Sequence, residues 1–316
     1  MHIYKNINNP LKQSCALTIG NFDGVHIGHQ KILTKLVEEA TARRITPSVL
    51  TFHPHSREFF QKNNNLLQNL PTRIYKTRDK IENISKYSID QIFISKFNSE
   101  ISQITANTFI EEFLVRNLNV KYLLIGENFQ FGYKRQGNLE TLQKASLKYN
   151  FEVQTIKRVI DNHNNRISSS QIREALKLSN ITLANSLLGR NFGITGHVIH
   201  GNKIGRKLGY PTMNISVPQN YALSKGVYLV YVYGLENKKI PGVASLGTRE
   251  TLEKNGILLL EISLIDVNIT AYGKLIHIEF IKKLRNEEKF PDIESLIHAI
   301  STDIKNARSY FNTHGL

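Results

Sequence analysis

Apolar residues along the first 180 positions follow two alternating rhythms. Short apolar β-rich runs (Ala16–Ile19, Ser48–Phe52, Gln91–Ile94, Tyr122–Ile125 and Phe151–Ile156) are too brief for buried helices and predict strands. Between them, apolar positions recur every three or four residues, which predicts helices over Ile32–Ala42, Arg78–Tyr87, Thr105–Leu118, Asn138–Tyr149 and Ser169–Leu178. Strand–helix alternation predicts an α/β layer with a parallel sheet covered on both faces. Gln61–Gln68 and Asp161–Asn165 read as polar surface loops. From about residue 190 the rhythm changes. Ile194–Ile199, Val227–Tyr233, Gly242–Leu246, Leu258–Ile265 and Leu275–Phe280 are β-rich and separated by Gly, Asn and Asp turns, the pattern of an antiparallel barrel or sandwich. A closing helix is expected over Ile293–Tyr310. The change of rhythm places a domain junction near residue 185, giving domains 1–184 and 185–316.

Composition narrows the class. The chain has 316 residues, 41% of them hydrophobic and 21% charged, as in ordinary globular proteins, and is long enough for two cores. No run of eighteen apolar residues and no signal-peptide core occur, so a cytoplasmic chain with no membrane partner is expected. Cys15 is the sole cysteine, which excludes an intramolecular disulfide or a cysteine metal cluster. The net charge of +15 raises the question of nucleic acid. Residues 1–184 carry 25 Lys+Arg against 15 Asp+Glu, and residues 185–316 carry 16 against 11. An excess spread this evenly, without a basic–aromatic cluster, does not specify nucleic acid, and none is expected as partner.

The densest chemistry follows the first predicted strand. Gly20-Asn21-Phe22-Asp23-Gly24-Val25-His26-Ile27-Gly28-His29 is a Gly-rich turn opening a helix. Glycines let a phosphate approach the backbone, and a helix N-terminus presents N–H groups and a positive dipole end. Two histidines three residues apart on the first turn face the same way, placed to stabilise charge developing on a phosphoryl group. Capping or packing is the alternative role for either one. Ser168, Ser169 and Ser170 are plausible N-caps at the start of the helix predicted over Ser169–Leu178. With Arg173 one turn on, they also fit a polyphosphate clamp.

These segments resemble the signature of the nucleotidylyltransferase superfamily, and the whole chain is similar in detail to the bacterial bifunctional riboflavin kinase/FAD synthetases. The resemblance implies a Rossmann-like N-terminal FMN adenylyltransferase domain and a C-terminal riboflavin kinase barrel with a closing helix. In the first, Gly20, Asn21, Phe22, Asp23 and Gly24 line the ATP pocket, and His26 and His29 stabilise the transition state. The resemblance assigns the Ser168–Ser170 and Arg173 clamp to the ATP phosphates. Thr51-Phe52-His53-Pro54-His55 resembles a Phe-x-Pro pocket edge. Gly126-Glu127-Asn128-Phe129-Gln130-Phe131-Gly132 resembles Gly-x-Asp-Phe-x-Phe-Gly, which implies flavin contacts from Asn128, Phe129 and Phe131; Asn128 stands where the family has Asp.

In the second domain, Gly205-Arg206-Lys207-Leu208-Gly209-Tyr210-Pro211-Thr212-Met213-Asn214 resembles a basic Gly-rich loop leading to Pro-Thr-Ala-Asn. Gly205, Arg206, Lys207, Gly209 and Thr212 are implied ATP contacts. Thr212 and Asn214 offer oxygen ligands to the Mg²⁺ that accompanies ATP. Glu261, in an apolar strand resembling Leu-Glu-x-His-x-x-Asp, is the implied general base. Arg285 is the implied flavin-covering flap residue. Ser245, Glu250 and Ser263 stand where the family has Asn, Pro and His. Riboflavin, FMN and ATP are the expected substrates, with FMN and FAD as products passed to apo-flavoproteins. The chain itself is expected to be a monomer or weak oligomer.

Overall fold

The computed structural model describes residues 1–5, 13–63, 72–160, 166–201, 205, 209–249, 257–267 and 269–314. Contacts divide the chain into two compact units, Met1–Pro71 with Thr77–Ser169, and Thr72–Lys76 with Ser170–Leu316. The predicted loop 161–165 and most of the predicted loop 61–68 lie outside the described residues; its first residues instead end a helix, Ser56–Asn63.

The first unit is built on six parallel strands: β1 (His2–Lys5), β2 (Cys15–Ile19), β3 (Thr46–His53), β4 (Gln91–Lys96), β5 (Val120–Gly126) and β6 (Glu152–Ile156), in the order β1-β4-β3-β2-β5-β6. Strand β2 is central, and every residue of it is buried. Its pleat sends Cys15, Leu17 and Ile19 into one core with Phe109, Leu114 and Leu142. Ala16 faces the other core with Leu33, Leu36 and Ala40 of helix Ile27–Arg43. From β2 the chain lays down β3 and β4 on one side, then returns to place β5 on the other. The sheet therefore reverses direction between β2 and β5, and a crevice opens where such reversals occur, at the strands' carboxyl ends. The turn after β2 and the loop after β5 both border it.

Two local readings are corrected. The predicted helix over Thr105–Leu118 is α-helical only at Ala106–Thr108. Phe109–Asn117 winds as a π-helix, with the Leu118 N–H donating to the Phe113 carbonyl five residues back. The wider turn brings Phe109, Ile110 and Leu114 together onto the core. Strand β1 was not expected, because three of its four residues are exposed at a sheet edge.

The second unit has six antiparallel strands: β7 (Gly193–His197), β8 (Met213–Val217), β9 (Gly226–Tyr233), β10 (Ile240–Arg249), β11 (Ile257–Leu264) and β12 (Leu275–Arg285), in the order β7-β12-β9-β10-β11-β8. A bridge between Ile199 and Asn214, with the Ile199 N–H 2.8 Å from the Asn214 carbonyl oxygen, joins the two end strands into a barrel. The closing helix, Ile293–His314, outruns its expected end. It buries Ala307 and Phe311 against Val227, Leu229, Val243 and Ile265.

Candidate functional site

The turn after β2 is held in a conformation that its side chains resist. Phe22 and Val25 have φ of 49° and 41°, a costly region for an aromatic and a β-branched residue, and Gly24 has φ of 84°. The restraint comes from the turn's carbonyls. The Asn21 carbonyl accepts from the Thr51 hydroxyl (3.3 Å) and the Lys80 ammonium (3.2 Å), and the Phe22 carbonyl accepts from Val25 N–H (3.2 Å). The Asp23 carbonyl accepts from Ser169 Oγ (2.7 Å), and the Val25 carbonyl from Gln30 Nε2 (2.9 Å). In a trans peptide the N–H points opposite to the C=O. Tying the Asn21 and Asp23 carbonyls into the protein therefore turns the Phe22 and Gly24 N–H groups the other way. A concavity of such N–H groups suits an anion.

His26 is the N-cap of the helix, its Nδ1 accepting from the His29 N–H at 3.3 Å, so it does fill the capping role. Capping does not exhaust it. The His26 and His29 rings stack at 3.7 Å between centroids, 19° from parallel, and His29 also meets Phe22 at 5.0 Å. Acceptance at Nδ1 leaves Nε2 to carry the proton of the neutral His26 ring. Gly28 makes this possible, since a Cβ there would lie 3.1 Å from both Cε1 and Nδ1 of His26. His26 is buried and His29 half-buried. The Ser169 bond to Asp23 brings the serine segment to the first motif. Ser168 is half-buried beside it, while Ser170 and Arg173, on the helix Ser169–Lys177, group with the second unit.

The loop after β5 splits its expected flavin contacts. Asn128 is exposed and Phe129 half-buried, and both line a cleft of about 600 Å³ with Glu127, Arg135 and Asn138. Phe131 stacks on Phe129 (5.6 Å) but is buried against Phe109 and bridged to Gly137, so it supports the loop from the core side. The sequence gives no signal for Lys80, and places Thr51 only in the Phe-x-Pro segment, not beside the turn at Asn21. Lys80 is 8% exposed, and its ammonium donates to Thr51 Oγ1 at 2.9 Å.

In the second unit the candidate residues fall into one row across the barrel. Asn214 of β8 pairs with Glu261 of β11, Glu261 with Ser245 of β10, Ser245 with Val227 of β9, and Val227 with Arg285 of β12. Cross-strand partners share a face, so the Asn214 amide and Glu261 carboxylate are neighbours. Asn214 is buried, Thr212 half-buried and Glu261 exposed, which spares that carboxylate the cost of desolvation inside an apolar strand. Gly205 folds back on this edge, accepting from Tyr210 N–H at 2.7 Å, and Gly209 has φ of 85°. Arg206, Lys207 and Glu250 lie outside the described residues. Arg285 does not stand alone as a flap, because Asp303 of the closing helix holds its guanidinium through Nε (3.0 Å) and Nη2 (2.8 Å). Thr212, Asn214 and Glu261 present oxygen donors of the type a hard divalent cation takes, so the residues present fit Mg²⁺.

Comparison with known proteins agrees with both halves. Residues 8–171 match the FAD synthetase family and residues 188–311 the riboflavin kinase family. A bifunctional riboflavin kinase/FMN adenylyltransferase of Buchnera aphidicola (subsp. Acyrthosiphon pisum) is 41% identical over 99% of both chains. The protein of that description from Haemophilus influenzae is 42% identical over 96% of this chain and 97% of its own, and that from Escherichia coli K12 is 38% identical over 97% and 96%. A solved structure described as a macrolide-efflux protein from Streptococcus pneumoniae superposes with a TM-score of 0.79 at 25% identity, over 97% of this chain and 98% of its own. Among the described residues no helix is long and apolar enough to cross a membrane. The turn that presents stacked histidines at a sheet reversal and the barrel row centred on Glu261 thus sit in a chain that belongs to the bifunctional riboflavin kinase/FMN adenylyltransferase family.

Proposed function

We propose that the two reactions of this family are divided between residues 1–184 and 185–316, each with its own catalytic residues. In the barrel, the terminal ribityl hydroxyl of riboflavin attacks the γ-phosphorus of ATP. The bond from that phosphorus to the β–γ bridging oxygen breaks, and ADP leaves. Glu261 takes the hydroxyl proton, and its exposure at the barrel face supports access by substrate. Thr212 and Asn214 would hold a Mg²⁺, which would supply neutralisation of phosphate charge, and Gly205, Arg206, Lys207 and Gly209 would cradle the nucleotide. Arg285, set by Asp303, borders the flavin.

In the α/β domain a phosphate oxygen of FMN attacks the α-phosphorus of ATP in line, and pyrophosphate leaves. This step needs no protein nucleophile, only positioning and charge neutralisation. His26 and His29 steady the developing charge, while Gly20, Asn21, Phe22, Asp23 and Gly24 shape the ATP pocket. Ser168, Ser169, Ser170 and Arg173 take the β- and γ-phosphates; the Ser169–Asp23 bond supports that placement. Asn128 and Phe129 meet the flavin in the cleft they line, with Phe131 beneath. Both products are destined for apo-flavoproteins, and the use of ATP twice supports a cytoplasmic site. Monomer or weak oligomer is the state we assign.

The observation that carries the barrel assignment is the Asn214–Glu261 register, which joins a metal-type ligand to a base. Glu261→Gln tests it. FMN formation from riboflavin, followed by chromatography, falls by about 10²- to 10⁴-fold, while conversion of supplied FMN to FAD is unchanged. Equal loss of both products would refute separate sites.

A further inference from the structure

We propose that Lys80 is a positioning residue for adenylyl transfer, its ammonium fixing the phosphate-facing turn from below through the Asn21 carbonyl. This inference rests on reading the turn at 20–29 as the adenylyl-transfer site. A lysine at 8% exposure has given up most of its hydration, which is costly unless hydrogen bonds and charge replace it. Two replacements are visible: Lys80 Nζ lies 3.2 Å from the Asn21 carbonyl oxygen and 2.9 Å from Thr51 Oγ1, and Thr51 Oγ1 donates to the same carbonyl at 3.3 Å. The three groups close a triangle spanning the helix Thr77–Ser85, the end of β3 and the turn after β2.

Its consequence lies at the far side of the peptide. With the Asn21 carbonyl drawn toward Lys80, the Phe22 N–H is aimed oppositely, and Phe22 is carried to its unfavourable φ of 49°. Strain of that kind persists only where surrounding bonds over-determine it. The ammonium also polarises the Asn21–Phe22 peptide, making its N–H a stronger donor to negative charge. Donors preset for charge that grows during displacement act more on the transition state than on bound substrate. The signature of Lys80 is therefore a change in kcat with KM retained.

The test uses the full chain, with riboflavin phosphorylation as an internal control. In Lys80→Met, kcat for FMN adenylylation is expected to fall at least 30-fold with KM for FMN and ATP within threefold. Lys80→Arg, which keeps charge and donors, should recover to within tenfold of wild type. Asn83→Ala removes a buried neighbour on the same helix, whose Nδ2 donates to the Asp79 carbonyl at 2.8 Å; it should lower thermal stability yet keep kcat within threefold. Should Lys80→Met fail to fold, Thr51→Val carries the test, with kcat expected five- to tenfold lower. Unchanged kcat in the folded Lys80 or Thr51 variant overturns the proposal, as does a kcat loss in Asn83→Ala as large as in Lys80→Met. His29→Asn separates the two layers. If it leaves FAD formation intact, the reading of the turn falls and Lys80 with it. If it abolishes FAD formation while Lys80→Met does not, Lys80 alone is refuted.

Discussion

Gly28→Ala separates the placement of a histidine ring from the stability of the helix that carries it. The added methyl would lie 3.1 Å from two atoms of the His26 ring, a few tenths of an ångström inside ordinary contact. His26 is buried, and His29 covers one side of it at 3.7 Å, so the ring is pushed from its cap position into its partner. Losing the cap bond costs about 1 kcal/mol. Replacing glycine by alanine inside a helix returns about 0.8–1 kcal/mol. The two nearly cancel, and thermal melting should move by no more than about 3 °C. Adenylyl transfer has no such compensation. Displacing a group that must meet the reacting phosphorus costs on the order of 10- to 100-fold, or about 1.4–2.7 kcal/mol of barrier. FMN-to-FAD conversion is measured beside riboflavin phosphorylation, which should hold. Full FAD synthesis in Gly28→Ala would refute a chemical role for the ring. A drop in stability of several kcal/mol would refute the cancellation.

Asp303→Ala strips the half-buried Arg285 of its buried carboxylate partner, and urea denaturation followed by tyrosine fluorescence should show a loss of about 1–3 kcal/mol; an unchanged midpoint would mean the pair contributes nothing. Burial raises the Cys15 thiol from 9.0 to about 12. The unfolded chain then ionises first, so stability is intact below pH 9 and falls between pH 9 and 12, by about 1.4 kcal/mol per pH unit. Cys15→Ala should flatten that slope in unfolding measured across the range, and native protein should resist thiol alkylation at pH 8.

The hydrophobic rhythm carried the architecture where burial follows the local pattern. β2 to β5 are legible because strands flanked on both sides need continuous apolar runs, β6 because an edge strand still alternates apolar and polar residues, and β9 to β12 because turns punctuate them. β8 was not, since Met213 and Asn214 are read first for their chemistry, and a five-residue strand leaves little else. Lys80 escaped for a related reason. Arg78-Asp79-Lys80 has the look of a solvated helix start, yet Asp79, Lys80, Asn83 and Ile84 form the buried face. Only the fold sets Asn21 and Thr51 opposite them. The histidine pair and Glu261 stand out in the sequence because their flanking motifs are dense, whereas the Asp303 hold on Arg285 joins residues eighteen positions apart with no shared pattern.

Asn214 also forms the seam of the barrel, through its bridge to Ile199. Side chains alternate faces along a strand, so a slip of one residue there would set Met213 beside the carboxylate and turn the amide inside out. With Asn214 and Glu261 in their proposed roles, phosphorylation would be conditional on a correctly closed cylinder. Fraying at this joint would then silence phosphorylation while the remainder of the wall still stands, so loss of catalysis would report local opening before any bulk signal of denaturation.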